Sequence, residues 1–79
     1  MPYIDVGKYR FNFVVADVRE RPHVHIRKGR KTAKYWIDQI ECSRRGDFKN
    51  HELTEIERLL KEYQSELLTK WDEITGRTL

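Results

Sequence analysis

The 79-residue chain has a single cysteine, Cys42, which excludes an internal disulfide and fits a reducing compartment. Proline is almost absent, with one residue at position 2 and one at position 22. No apolar run approaches the roughly 20 residues of a membrane span. The N-terminus has no apolar stretch of the signal-peptide kind, so a cytoplasmic protein without a membrane partner is expected. P-loop, dinucleotide fingerprint, Cys-x-x-Cys pair and Ser/His/Asp signature are all missing, and no cofactor is expected. There is no internal repeat and no low-complexity tract.

What is present is charge. Asp, Glu, Lys and Arg make up 37% of the chain, against about 25% in an ordinary globular domain. The net charge of +3 conceals an asymmetry. Residues 1–49 hold twelve Lys and Arg against six Asp and Glu, whereas residues 50–79 hold four against seven. The basic part therefore suits an anionic partner, a phosphate backbone or an acidic protein surface. The bland reading is that these cations solvate a sheet face. A hydrophobic fraction of 38%, with two Trp, four Tyr and three Phe, suffices for one core in one domain spanning 1–79. So small a chain buries only about 60% of its unfolded surface, which makes a partner chain or a homodimer plausible.

Patterning divides the chain. Gly7-Lys8 reads as a tight turn after a short starting segment. From Tyr9 to Ala16 the alternation is clear, with Tyr9, Phe11, Phe13 and Val15 on one face. The charge-dense stretch from Asp17 to Arg21 reads as a loop that Pro22 ends. His23–Lys28 is a strand, Gly29-Arg30-Lys31-Thr32 a basic turn, and Ala33–Ile37 the returning strand. Ile40 and Cys42 form either one more short strand or a loop anchor, and Phe48 tucks back to the core behind an exposed Arg44–Asp47 turn. From Asn50 the period becomes about 3.6, through Leu53, Ile56, Leu60, Tyr63, Leu67, Trp71 and Ile74. Asn50 is expected as N-cap and Gly76 as the C-terminal stop. A 25-residue helix would be about 37 Å long, more than a small sheet covers, so a bend or break is expected near Glu62–Ser65. The expected class is α+β: an antiparallel β-meander of three to four strands within 1–42, with a helix or kinked helix pair over 50–75 packed on one face.

The stretch Arg21-Pro22-His23-Val24-His25-Ile26-Arg27 draws the chemistry together. On a strand, His23, His25 and Arg27 share one face while Val24 and Ile26 share the core face. Two imidazoles beside cations permit acid–base chemistry on RNA, with Arg and Lys stabilising a phosphorane-like transition state. The pair also has metal-ligand spacing, but the flanking Arg21 and Arg27 oppose a cation, and no metal is assigned. The structural alternative is that one histidine holds the loop by a hydrogen bond and the other is half-buried. The candidate catalytic residues are thus His23 and His25. The candidate nucleic-acid or anion contacts are Arg19, Arg21, Arg27, Lys28, Arg30, Lys31 and Lys34, with Arg44 and Arg45 in the same basic set. Tyr35 or Trp36, whichever faces outward, could stack a base, although Trp36 is more often a core residue. Trp71, in the helical stripe, is expected in the core, and Cys42 is read as a small hydrophobe.

Three segments carry a resemblance: Phe13-Val14-Val15-Ala16-Asp17, Arg21-Pro22-His23-Val24-His25-Ile26, and Ala33-Lys34-Tyr35-Trp36-Ile37-Asp38. Together with the helical tail they resemble the small bacterial family termed domain of unknown function 4160. The charged approach Val18-Arg19-Glu20-Arg21 departs from that family's usual pattern. The resemblance implies a component of a type II toxin–antitoxin pair, acting on RNA or translation beside a small cognate protein. It brings no established catalytic residues. A looser similarity, at fold level, is to HicA-type mRNA interferase toxins. The expected function is such a toxin component, with ribonuclease-type histidine chemistry. The alternative is a non-enzymatic antitoxin or adaptor that docks nucleic acid or an acidic protein.

Overall fold

A computed structural model describes residues 2–15 and 20–76; Ala16, Asp17, Val18 and Arg19 lie outside the described residues. Five strands follow one another: β1 (Tyr3–Val6), β2 (Tyr9–Asn12), β3 (His23–Lys28), β4 (Lys31–Trp36) and β5 (Glu41–Arg44). Their order in the sheet is their order in the chain, and every neighbouring pair is antiparallel. One helix, α1 (Asn50–Thr75), follows. The α+β class is as expected, with five strands where three to four were anticipated.

Two tight turns organise the first four strands. Gly7 and Gly29 each take the first place of a two-residue connection, at φ 59° and 62°. Positive φ there is what the hairpin turns matching strand twist require, and glycine adopts it without a Cβ penalty. The register that results pairs Val6 with Tyr9 and Lys28 with Lys31. β5 was ambiguous in sequence because all four of its residues are exposed, so it has no apolar phase. Its pairing with β4 also shifts between Lys34 and Tyr35. Gly46 follows β5 where a Cβ would meet the Thr32 carbonyl oxygen.

Alternation decides which face the helix covers. Tyr9, Phe11, Val24, Ile26, Ala33 and Tyr35 point to one side and are all buried. Against them lie Ile56, Leu60, Leu67 and Trp71 of α1, spaced to share one stripe, together with Phe48. Polar contacts at the margins fix the docking. The Tyr9 hydroxyl donates to Glu55 at 2.6 Å, and the Tyr35 hydroxyl to Glu57 at 2.9 Å.

The helix is one uninterrupted element of 26 residues rather than a pair broken near Glu62–Ser65. The expected break assumed that the sheet alone must cover it. In fact the Gln64 amide pins its middle, donating to the Ile37 and Asp38 carbonyls at 2.9 and 3.1 Å. Beyond that point Trp71 packs on His23, at the entry to β3. The N-cap is Lys49, one residue before the expected Asn50. Glu52 accepts the Lys49 backbone N–H at 3.0 Å, while the Asn50 side chain accepts from Arg45 instead. Gly76 closes the helix at φ 74°, as expected.

Candidate functional site

The helix occupies one face of the sheet, and the other carries the polar phase of every strand. Cross-strand register aligns these residues into a row that spans all five strands. Tyr3 stands beside Asn12, Asn12 beside His25, His25 beside Lys34, and Lys34 beside Arg44. The adjoining row brings Asp5, Arg10, Arg27 and Thr32 together, and Trp36 flanks Lys34 on the other side.

His25 sits at the centre, half-buried. Burial lowers its pKa, and the neighbouring His23, Lys34 and Arg44 push it the same way. The ring is therefore held neutral at neutral pH. Arg27 and Arg44 are exposed and Lys34 is half-buried, and none has a carboxylate partner among the described residues. Two aromatic rings stand on this face. Tyr3 is 49% exposed with the Arg10 guanidinium 4.0 Å from its centroid. The Trp36 ring has the Lys34 ammonium 4.6 Å and the Arg21 guanidinium 4.9 Å from its centroid. Trp36 is thus the outward partner of the Tyr35-Trp36 pair, and Tyr35 belongs to the core.

His23 does not join the open face, although strand phase assigns it there. It is 3% exposed. As the first residue of β3 it is enclosed by the chain leading into the strand. Its Nδ1 lies 2.9 Å from the Arg21 carbonyl oxygen and its Nε2 3.0 Å from that of Val14. The ring also meets Trp36 and Trp71, at 5.8 and 4.9 Å between centroids. His23 ties the entry of β3 to the segment after β2, which is the structural alternative the sequence left open.

The other candidate cations separate into engaged and free. Arg21 donates through Nε to Asp38 at 2.8 Å and through Nη2 to Glu41 at 2.8 Å. These hydrogen bonds raise its pKa above the ordinary guanidinium range. Lys28 and Lys31 reach round to the helix side, where both contact Glu52, at 3.2 and 3.0 Å. Arg30 is exposed at the hairpin tip, and Arg19 lies outside the described residues. Among the described residues no group of three or more His, Cys, Asp or Glu is placed to hold a metal ion. Cys42 is exposed rather than packed as a small hydrophobe. Arg10, Asn12 and Tyr3 were not singled out from sequence. Alternation against Tyr9 and Phe11 marks Arg10 and Asn12 as outward-facing, but only register places Asn12 beside His25 and Arg10 beside Arg27.

Fold and site together define a small sheet-and-helix protein with one sheet face covered and a cationic, aromatic-bearing face left open. The family described as a domain of unknown function, DUF4160, matches residues 9–72, from β2 to the last turns of the helix. The chain belongs to that family. The comparison with curated proteins finds no match, and neither does the comparison with solved structures.

Proposed function

We propose that this protein is a non-enzymatic binding module whose open sheet face docks single-stranded RNA. The observation that supports this reading is the row Tyr3–Asn12–His25–Lys34–Arg44, with Arg27 and Trp36 beside it. Cations without carboxylate partners attract a phosphate backbone, and outward aromatic rings give bases a stacking surface that tolerates any sequence. An arriving base takes the place of Lys34 over Trp36, freeing the ammonium for a phosphate. Neutral His25 and Asn12 add hydrogen-bonding groups that meet base edges without further charge. In the toxin–antitoxin pair implied by the family resemblance, this module is the component that holds RNA, and a small cognate protein or a second copy docks elsewhere.

A second reading has one observation in its favour. A neutral His25 beside Lys34 and Arg44 is competent as a general base at a phosphodiester, which is the ribonuclease-type toxin expected from sequence. With His23 enclosed, that chemistry lacks its second histidine, and the binding role is favoured. One experiment separates the two. Labelled single-stranded RNA is titrated with protein across a salt series and then resolved on a denaturing gel. The module binds without cleaving, and log K falls with log salt with a slope of about −2, as three phosphate contacts require. Cleavage that vanishes in His25→Ala would establish the toxin reading instead. Absence of binding at low salt would sink both.

A further inference from the structure

One row along the sheet from His25, between the tips of the two glycine-turn hairpins, lies a cleft of about 390 Å³. Lys8, Arg10, Arg27 and Lys28 line it with one carboxylate, Asp5, although the Lys28 ammonium itself is engaged by Glu52 on the helix side. Arg10 and Arg27 stand directly opposite each other on β2 and β3. Like charges in that relation destabilise a sheet unless an anion lies between them. Asp5 answers Arg10, accepting from its Nε at 2.8 Å and its Nη2 at 3.2 Å. Arg27 donates its Nε only to the Gly29 carbonyl, at 3.1 Å, so its terminal nitrogens have no carboxylate partner among the described residues. Lys8 stands 3.6 Å from Glu55 with its side chain 63% exposed, a loose pair that leaves the ammonium available. At both tips the glycines leave the backbone uncovered, since a Cβ there would meet nothing within 4 Å. A ligand can therefore approach the turn closely.

We propose that this cleft binds the terminal phosphomonoester of a single-stranded RNA whose bases lie on the open face. The inference rests on the RNA-binding reading and deepens it. A terminal phosphate carries about two negative charges near neutral pH where an internal phosphodiester carries one. Its three free oxygens suit the fork of Arg27 and the point charge of Lys8. The volume falls within the roughly 300–1,000 Å³ typical of ligand sites, room for one nucleotide. Arg27 belongs to both the face and the cleft, so a strand lying across the row can end here.

The test compares three oligouridylates of about ten nucleotides, within the length one sheet-type site covers. One carries a 5′-phosphate, one a 3′-phosphate and one hydroxyls at both ends, each with an internal fluorophore read by anisotropy. One of the phosphorylated forms should bind about tenfold more tightly than the hydroxyl form, and which one fixes the polarity of the strand. Millimolar inorganic phosphate at constant ionic strength should remove that advantage. Lys8→Gln, an exposed change, should cut it by roughly threefold and leave the hydroxyl form's affinity unaltered. Equal binding of all three oligonucleotides overturns the terminal-phosphate site and leaves the RNA-binding reading standing. An advantage that survives competing phosphate also overturns it. Failure of every oligonucleotide to bind overturns both.

Discussion

The imidazole of His23 lies against the indole of Trp71, with 4.9 Å between centroids and 56° between the ring planes. Forty-eight residues separate the two in sequence. The contact joins the entry of β3 to the last turns of the helix, and both rings are buried. A neutral imidazole donates through one nitrogen and an imidazolium through two, so at least one of the Val14 and Arg21 carbonyls receives an N–H here.

His23→Ala should therefore destabilise the fold by about 2–4 kcal/mol, combining a cavity beside Trp71 with carbonyls left without a donor. His23→Phe refills the space and should recover part of that loss. Urea denaturation of the three proteins measures it. RNA affinity of the folded His23→Phe protein should match wild type, because His23 does not reach the open face. A His23→Phe variant as stable as wild type would show that the carbonyl contacts contribute nothing.

Glu52 contributes to the acid limb of stability, beside Asp5, Asp38 and Glu55, whose pKa values their hydrogen-bond partners also lower. The Glu52 carboxylate accepts the Lys49 backbone N–H and is flanked by Lys31 and Lys28, which together hold its pKa down to about 2. The folded-state pKa lies below the ordinary 4.5, so the stabilisation is fully present above that value. It is lost as pH falls from 4.5 toward 2. Glu52→Gln should be less stable at pH 7 and should show a flatter dependence of unfolding free energy on pH across that window. Parallel curves for the two proteins below pH 4.5 would contradict this role.

Gly46 and Gly7 share a φ of 59° but not their surroundings. A Cβ on Gly7 meets nothing, whereas one on Gly46 runs into the backbone carbonyl of Thr32. Gly7→Ala should cost about 1 kcal/mol for the left-handed conformation alone. Gly46→Ala should cost about 2 kcal/mol or more, because β5 must move away from β4 to relieve the clash. Thermal or denaturant unfolding of both variants checks the order. Equal losses would mean that the close approach does not hold β5 in place.

Strand phase, the glycine turns and the change of period at residue 50 are local properties, and they were legible. Alternation through Tyr9–Phe11 and Val24–Ile26 assigns the buried face because each residue's direction follows from its neighbours'. The stripe from Ile56 to Trp71 assigns the helix in the same way. β5 stays ambiguous between strand and loop because an edge strand exposed on both sides has no apolar phase to read. The helix looked too long because the sequence does not show that Gln64 and His23 would hold its middle and end.

The candidate site divides along the same line. Composition and spacing placed a basic surface on the polar phase of β3 and β4, and they marked His25, Arg27 and Lys34 within it. The tertiary structure decided which charges are free. Lys28 and Lys31 meet Glu52, 24 and 21 residues away, and Arg21 meets Asp38 and Glu41. It also separated two histidines that strand phase makes equivalent. Burial and ion pairing depend on groups brought together from distant positions, so the sequence determined which faces exist, and only the folded chain determined which side chains on them are left to meet a partner.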